Sequence, residues 1–589
     1  MRKKIVTALS LLMAGTMVTS MTACGGTTGN GGTEIDKNKT QLYVFNFDGG
    51  YGTDWLYEAA ARFEKLKENE SYEDGKTGVE IKIKKQKSSV SAADNFDKMT
   101  QEIFFTEGTD YFNLVNSNKA LDITTAVKAT LTQYGETRSV YDKFSEEQKS
   151  YYTVDNKIYA IPHYMATFGI AYNRDVFDEG YWILNDGYNA GTIETEYATG
   201  KTDDSENSIT FGKANADGSN LSPGPDGDLT TTYDNGFPAT YAEYYLLCNK
   251  LSENSIRAVH WSGAQYANYG VYMLDALSAT NEGAAQWSLN YDYSSETLAT
   301  NLIADANGDN LPDFDANGKP IIGDSVQITS ENGYLLSQQV GKYYAIDFMK
   351  NIYDHTRWYE QTNGKLYSST HTHTDAQRDF LRAGSSQSPV KIAMLMDGCW
   401  WESEGSDVFN DLAETYGDKY KRENRNFGIM PLPFATAQMI GSVNPTMVDL
   451  YQAIGFIKSS IAEWKIPLAT EFLIFCSTDA EMSEYTAKTS TFKSLNYEVS
   501  NEAYAKASPY GKSVIEYAKH ADVVYTANYD EFYLKNIGMF TYNTLFKGIN
   551  TGGGTVQSFL NFYPKNTAGV TAKDYIGYMM RYFRDNWPA

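Results

Sequence analysis

Alternating strand and helix patterns near the N-terminus constrain the fold of this chain most strongly. An apolar run, a stretch with helical apolar spacing and an alternating run follow one another, and then a further helix and strand. The predicted elements are a strand at 42–45, a helix at 54–68, a strand at 79–83, a helix carrying Phe96 and Met99, and a strand at 103–105. This order predicts an α/β lobe built on a mostly parallel sheet.

Two loops of this lobe are expected to face a ligand. In open α/β sheets, ligands bind beyond the carboxyl ends of the strands. The loops at 48–53 and 106–110 both leave strands at that end. We therefore expect their polar and aromatic side chains to contribute to a binding site.

Two long stretches interrupt the pattern in the rest of the chain. Residues 183–236 and 288–335 are rich in small and polar residues and show little periodicity, which predicts surface insertions. From Val390 the α/β pattern resumes and continues to the end. No internal repeat is apparent in the sequence.

The N-terminus has the parts of an export signal. Three basic residues at 2–4 precede an apolar stretch at 5–18. Met21-Thr22-Ala23-Cys24 resembles the lipobox of bacterial lipoproteins, in which the cysteine is acylated, with Met where Leu is usual. We predict a signal peptide at 1–23 and a flexible, lipid-anchored tether at 24–39. The alternative is an ordinary secretory signal that happens to contain Cys24.

The charge of the chain limits its ligands. The formal net charge is −24, and removal of the signal would remove basic residues and no acids. Nucleic acid binding depends on Lys and Arg that neutralise phosphates, so the charge argues against it. It also disfavours an anionic ligand. A neutral ligand is the simplest inference.

Cysteine and aromatic content give two further limits. Cys248, Cys399 and Cys476 show no metal-binding spacing, and Cys248 and Cys476 lie on apolar helical stripes that predict core positions. The chain has 46 Tyr, 28 Phe and 9 Trp, many in Gly/Asn-rich stretches. Most are explained by packing, but some would suit stacking platforms in a cleft.

Five segments carry a resemblance to a known family. The segments are Leu42 to Phe63, Lys157 to Pro162 with Ala171 to Phe177, Pro238 to Tyr244, Ala393 to Trp400 and Phe427 to Pro433. In this order they resemble the extracellular solute-binding proteins of family 1, the oligosaccharide-binding group of ABC importers, and the outline is similar to that of maltose-binding proteins. Each motif is weak alone, whereas five in order are specific.

The resemblance implies two α/β lobes joined by a hinge, with a ligand cleft between them. The implied first lobe is 40–162 plus 444–491, and the second is 163–443 plus 492–589, which includes the two insertions. The chain would cross between lobes near Pro162, Asn444 and Thr491. The insertions have no counterpart in the family outline.

The implied function is a monomeric binding protein of the cell membrane, lipid-anchored on the extracytoplasmic face. It would capture a neutral oligosaccharide and deliver it to the permease subunits of an ABC importer. It would catalyse no reaction and require no cofactor.

Sugar recognition needs flat rings for the sugar faces and short polar groups for the hydroxyls. Carboxylates suit hydroxyl pairs as strong acceptors. For Asp48 a turn role is the alternative, for Glu107 a solvated loop acid, and for the aromatic residues core packing. The candidate residues are Asp48, Tyr51, Glu107 and Tyr111 in the first lobe, Tyr164 at the crossing, and Trp261, Gln265, Tyr266, Tyr269, Asp397 and Trp400 in the second.

Trp400 is the strongest of these candidates. It follows the apolar strand 390–396, and Gly398 lets the backbone turn before it. The family resemblance also places a sugar-stacking Trp at this position. Trp401 is expected to point the other way and pack in the core.

Two stretches have residue types that bind metals. Residues 305–313 resemble an EF-hand-type loop, with Asn310 at the usual Gly position and Ala316 where a bidentate Glu is expected. The calcium ligands would be Asp305, Asn307, Asp309 and Asp313, and the alternative is a polar surface turn. His371 and His373, near Asp375, also allow a metal, although a solvated loop explains them more simply.

Two other functions remain open from the sequence. An exported glycoside hydrolase would need paired carboxylates across a sugar bond, and Asp48 with Glu107 would supply them. An anchored adhesin would hold a polysaccharide without transport. The sequence has no G-x-S-x-G, H-E-x-x-H or P-loop motif.

The predicted anchor can be tested directly. Cys24→Ala should release the protein from the membrane fraction, because the acyl chains attach only through this side chain. Fractionation followed by immunoblotting measures the release. A variant that stays membrane-bound would show that the anchor is assigned wrongly.

Overall fold

The computed structural model describes residues 35–87, 93–264, 266–309, 311–359, 370–451, 453–526, 530–536, 547–550, 556–558 and 570–588. The predicted signal peptide, Cys24 and most of the predicted tether lie outside these residues, as do Gln265 and the side chain of Tyr266. In the described part of the chain, no helix is long and apolar enough to cross a membrane.

The chain folds as a two-lobed α/β protein. Its strands are β1 (Thr40–Phe47), β2 (Val79–Gln86), β3 (Ile103–Thr106), β4 (Thr153–Val154), β5 (Lys157–Ile158), β6 (Ile161–Pro162), β7 (Phe168–Asn173), β8 (Trp182–Ile183), β9 (Phe211–Gly212), β10 (Arg257–His260), β11 (Leu298–Ala299), β12 (Val326–Gln327), β13 (Ile392–Gly398), β14 (Phe427–Met430), β15 (Thr446–Asp449), β16 (Ile454–Ile457), β17 (Asp522–Tyr525), β18 (Lys547–Asn550) and β19 (Val556–Ser558).

Helices surround these strands. They are α1 (Asp54–Leu66), α2 (Ala93–Phe96), α3 (Tyr111–Asn116), α4 (Thr124–Lys128), α5 (Glu146–Tyr152), α6 (Arg174–Phe177), α7 (Ala190–Ala198), α8 (Tyr241–Glu253), α9 (Tyr266–Glu282), α10 (Ala284–Ser288), α11 (Val340–Asp354), α12 (His373–Arg382), α13 (Trp401–Glu404), α14 (Ser406–Tyr416), α15 (Ile466–Phe475), α16 (Asp479–Thr489), α17 (Asn501–Lys506), α18 (Pro509–Ala518), α19 (Glu531–Lys535) and α20 (Ala572–Asn586).

The first lobe is built on a sheet of order β2-β1-β3-β16-β6. β1 pairs in parallel with both β2 and β3, as the sequence pattern predicts, and β16 runs antiparallel to β3. α1 covers the sheet because Trp55, Leu56 and Phe63 all fall on its buried face. The Phe63 ring lies 5.1 Å from that of Phe472 in α15, which ties α1 to a helix distant in sequence.

The second lobe is built on a sheet of order β10-β13-β7-β14. β10 and β13 are parallel, and β7 runs antiparallel between β13 and β14. All seven residues of β13 are buried, which explains its continuous apolar sequence. The carboxyl ends of β10 and β13 therefore meet at one edge of this sheet.

The chain passes between the two sheets more than once. β6 belongs to the first sheet and β7 to the second, so residues 163–167 connect them. β14 belongs to the second and β16 to the first, and β15, which lies between them in sequence, pairs with β17. Strand pairing does not assign every helix to a lobe, so the lobe limits inferred from the sequence stay a prediction.

The stretch 183–236 is more ordered than its composition indicates. It contains α7 and the β8–β9 pairing, and Ile183, Ile193 and Ile209 pack with Leu246 of α8 in a separate small core. The apolar residues are too widely spaced to give a periodic signal, so the sequence alone predicts only a loop.

A buried carboxylate joins distant parts of the chain. Glu402 in α13 is 1% exposed, and its Oε2 accepts hydrogen bonds from Arg422 (2.7 Å), Ser490 Oγ (2.6 Å) and Ser508 Oγ (2.9 Å). A buried charge is stable only when it is paired and hydrogen-bonded. Glu402 therefore holds the segment after α16 against α13.

We expect Glu402→Gln to lower the free energy of unfolding by about 1–3 kcal/mol, because Arg422 loses its charged partner in a buried setting. Urea unfolding followed by circular dichroism measures the change. Glu414→Gln, at an exposed site on α14, is the control and should be neutral. If Glu402→Gln lowers the free energy of unfolding no more than Glu414→Gln does, Glu402 does not hold these segments together.

Candidate functional site

The segment that follows β1 in the first sheet contacts the segment that follows β13 in the second sheet. The loop after β1 belongs to the first lobe, and Trp400 follows β13 in the second. A Cβ atom placed on Gly50 would lie 2.5 Å from Cβ of Trp400. This close approach is open only to glycine at position 50. The glycine-rich loop thus sits directly against the segment that carries Trp400.

Aromatic side chains from both lobes converge at this contact. The Tyr51 ring lies 4.6 Å from that of Tyr164 and 6.4 Å from that of Trp400. The Tyr269 ring lies 6.2 Å from that of Trp400, and that of Tyr451 lies 5.9 Å from it. These five rings form the aromatic group of the candidate site. All but Tyr451 are at most 8% exposed, so the group is closed in this conformation.

Polar contacts fix Tyr51 across the junction. Its hydroxyl donates to the carbonyl of Met165 at 3.2 Å and lies 3.1 Å from Sγ of Cys399. Cys399 also lies 3.4 Å from Oγ1 of Thr491. Burial, and then the neighbouring Cys399, raises the pKa of Tyr51. Four segments distant in sequence, those that contain Tyr51, Met165, Cys399 and Thr491, therefore meet at one buried point.

Glu107 brings a carboxyl to the aromatic group from the first lobe. The hydroxyl of Tyr164 donates to its Oε2. The pKa of Glu107 is raised to about 7, and burial is the main cause. The hydrogen bond from Tyr164 opposes this shift, and the charge of Glu404 in the second lobe adds to it. The two carboxyls therefore interact across the junction between lobes.

Asp397 and Glu404 are held together by Gln377 of α12. Gln377 Nε2 donates to Asp397 Oδ2 at 3.1 Å and to Glu404 Oε2 at 2.8 Å. Burial, and then the charge of Glu404, raises the pKa of Asp397 to about 8. The raised pKa favours the protonated form of Asp397, which has a hydrogen to donate.

His373 places a basic group beside these acids. Its Nε2 lies 3.5 Å from Oε1 of Glu404, and its ring lies 6.2 Å from that of Tyr269. Burial opposes a charge on this ring, but the hydrogen bond and the charge of Glu404 outweigh burial and raise the pKa of His373. The resulting acid–base group is the polar part of the candidate site.

The structure brings together some of the predicted residues and not others. Tyr51, Glu107, Tyr164, Tyr269, Asp397 and Trp400 form one group. Asp48 lies near it, but its Oδ1 accepts from Thr53 Oγ1 at 2.6 Å and so stabilises the turn.

Tyr111 lies in apolar packing instead, and Trp261 packs in apolar surroundings beside the group, where it lines a small cavity together with Tyr269. The Tyr111 ring is 5.1 Å from that of Tyr152, and its hydroxyl donates to the Tyr152 carbonyl at 2.8 Å. The Trp261 ring packs 5.1 Å from that of Tyr359. Both side chains are at most 4% exposed. Their positions correspond to the core alternative considered for the aromatic residues.

Several residues of the site are not predictable from local sequence. Gln377, Glu404 and Tyr451 lie in segments with no motif, and His373 gives only a weak metal signal. Gln377 lies four residues after His373 and therefore on the same face of α12. That spacing becomes informative only when the neighbour of the helix is known.

The predicted calcium residues lie in a series of turns. Asp313 Oδ2 accepts from the Ala306 amide at 2.8 Å, and Asn307 Oδ1 accepts from the Asp309 amide at 3.0 Å. Asp305 Oδ2 lies 3.8 Å from Arg584. Asn310 lies outside the described residues. Calcium binding by this loop stays a prediction.

The chain was compared with known proteins. No family model and no curated protein matches its sequence. Three similar solved structures are a chitin oligosaccharide binding protein (TM-score 0.48, 12% identity, 93% of this chain and 99% of that one), apo RafE from Streptococcus pneumoniae (0.47, 13%, 94% and 99%) and the GacH receptor of Streptomyces glaucescens (0.46, 10%, 93% and 98%). At these values the similarity assigns no ligand to this chain.

The raised pKa of Asp397 predicts how stability depends on pH. An acid with a higher pKa in the folded protein stabilises the fold while protonated, so stability falls as pH rises from the unfolded pKa to the folded one. For Asp397 this window runs from 3.8 to about 8. Between pH 5 and 8, the wild type should therefore lose more unfolding free energy than Asp397→Asn, which cannot ionise there.

Urea unfolding of the ligand-free protein at both pH values measures this difference. Asp411→Asn, at an exposed acid on α14, should keep the pH dependence of the wild type. If the stability of Asp397→Asn depends on pH in the same way as that of the wild type, Asp397 is not held in its protonated form.

Proposed function

We propose that this chain is the lipid-anchored substrate-binding component of an ABC importer. It captures a neutral oligosaccharide between its two lobes on the extracytoplasmic face of the cell membrane and delivers it to the permease as a monomer. The observation that carries the proposal is the meeting of aromatic rings and carboxyls from both lobes at the carboxyl ends of their parallel strands.

The chemistry of this group suits a sugar. Tyr51, Tyr164, Tyr269 and Trp400 offer flat rings for the C–H faces of sugar units. Glu107, Asp397 and Glu404 offer acceptors for hydroxyl groups, and a protonated carboxyl offers a donor as well. A ligand with many hydroxyls and no charge satisfies both sets at once.

The closed contact indicates how a ligand would enter. Gly50 and Tyr51 of the first lobe pack against Trp400 of the second, so the rings become accessible only when the lobes separate. Hinge motion about the connecting segments provides such a separation. A sugar bound between the lobes would replace ring-to-ring contacts by ring-to-sugar contacts.

A glycoside hydrolase is the second candidate, because carboxyls from opposite lobes interact here. Glu107 with a pKa raised to about 7 has the property of a general acid. A hydrolase would cleave a bound oligosaccharide, whereas a transport protein would return it intact. An anchored adhesin would prefer long polymers to short oligomers.

A thermal-shift screen over neutral oligosaccharides of different linkage and length tests the proposal. A ligand should raise the melting temperature by mass action, and calorimetry should then confirm binding to one site. Mass spectrometry of the recovered ligand separates the candidates: intact sugar supports transport, and shortened sugar supports hydrolysis. A screen without any stabilising sugar would contradict the proposal.

The neighbouring tryptophans provide a matched pair of variants. Trp400→Ala should weaken binding of the identified sugar by roughly 1–3 kcal/mol, because a stacking face and its buried area are lost. Trp401 is fully buried and packs 5.0 Å from the Tyr510 ring. Trp401→Ala should instead cost about 3–5 kcal/mol of stability, as expected for a core ring.

Calorimetry and urea unfolding of both variants separate the two roles. The stability of the ligand-free protein should change less in Trp400→Ala than in Trp401→Ala. If Trp400→Ala binds sugar as well as the wild type, this ring is not a binding platform.

A further inference from the structure

We propose that His260, His371 and Asp379 form a zinc site in the second lobe, separate from the proposed sugar site. Nε2 of His260 lies 3.7 Å from Oδ2 of Asp379, and Nε2 of His371 lies 3.8 Å from the same oxygen. One ligand atom from each residue can be chosen so that all three lie within 4.8 Å of one another. Two imidazoles and one carboxylate thus surround a single point.

These distances fit a shared ion better than direct hydrogen bonds. Nε2 of His260 and Nε2 of His371 both lie too far from Asp379 Oδ2 for a hydrogen bond, since such bonds are shorter than 3.5 Å. Tetrahedral zinc holds its nitrogen and oxygen ligands at about 2.0–2.2 Å, which places neighbouring ligand atoms about 3.3 Å apart. Contraction by roughly half an ångström, within the reach of side-chain rotation, would bring both nitrogen–oxygen distances to this value.

Backbone contacts hold the three residues in place. His260 ends β10 and pairs in register with Leu395 of β13. The carbonyl of His371 accepts from the amide of Ala264 at 2.8 Å, so the loop after β10 is tied to the segment before α12. The site is therefore presented by a strand, its loop and a helix.

A capping box fixes the start of that helix. Thr372 Oγ1 accepts from the Asp375 amide at 3.3 Å, and Asp375 Oδ2 accepts from the Thr372 amide at 3.0 Å. This reciprocal arrangement sets the orientation of α12, and Asp379 lies one turn further along it. The carboxylate is thereby directed toward the two histidines by the helix as a whole.

The donor set and the exposure fit zinc and disfavour calcium and magnesium. Imidazole nitrogen suits Zn²⁺, whereas Ca²⁺ and Mg²⁺ prefer oxygen ligands only. The histidines are at most 9% exposed, but Asp379 is 35% exposed, so solvent can supply the fourth ligand. Arg257 lies 3.4 Å from Nδ1 of His260 and must turn away when that nitrogen carries the proton of a zinc-bound ring.

A metal at this point would act on α12. The same helix carries Gln377, which holds Asp397 and Glu404, and His373, which lies beside Glu404. Zinc would therefore fasten the helix that orders the carboxyls of the proposed sugar site. The zinc proposal does not depend on the identity of the ligand bound there.

Calorimetry of the chelator-treated protein, prepared without a histidine tag, against zinc chloride tests the proposal. We expect one zinc per chain and a rise in melting temperature. Asp379→Asn and His371→Gln should each weaken zinc binding by at least about 100-fold, because each removes a ligand, and loss of a group that only supports a ligand already costs about 10–100-fold. Asp379→Asn alters a partly exposed side chain, so it tests the site even if His371→Gln folds poorly.

Two matched variants control for other histidines. His520→Gln changes an exposed histidine, and His373→Gln changes the one beside Glu404. Both should bind zinc like the wild type. Cobalt should give the visible spectrum of a tetrahedral complex in the wild type and not in Asp379→Asn. Absence of zinc binding, or equal affinity in Asp379→Asn and the wild type, would overturn the proposal.

Discussion

Gly50 and Trp400 approach each other so closely that their contact requires the absence of a side chain at position 50. A side chain at position 50 would collide with the indole, so the two binding edges can meet only where the first lobe offers bare backbone. That approach brings Tyr51 to Tyr164, Met165 and Cys399, and it buries the rings of both lobes together. Packing and hydrogen bonds at this point therefore contribute to the closed arrangement of the site.

The burial that closes the contact also governs the charges around it. Burial is the largest cause of the raised pKa values of Glu107 in the first lobe and Asp397 in the second. Their charged forms are disfavoured, and neutral forms with donor capacity become available. Such a site is suited to a ligand that makes many weak polar contacts, and it is unfavourable for water.

The helix α12 connects features that are separate in sequence. Its first residue, His373, and its Gln377 face the carboxyls, whereas Asp379, near its end, faces two histidines on the other side. Because α12 carries His373 and Gln377 as well as Asp379, a shift of this helix would also move the residues that it contributes to the candidate site. In the second lobe, α12 therefore links the candidate site to a second cluster of side chains.

The α/β class, the parallel β1–β3 arrangement and the loops that follow those strands are predictable from the sequence, because periods of two and 3.6 residues are local properties of a segment. The sequence also predicted Tyr51, Glu107 and Trp400 as neighbours of a strand edge. The folded chain was needed to show that Tyr111 and Trp261 are buried, that Gln377 and Glu404 join Asp397, and that His260 meets His371 and Asp379. Such groups form between segments far apart in the chain, and side-chain contacts across that distance leave no local periodic signal.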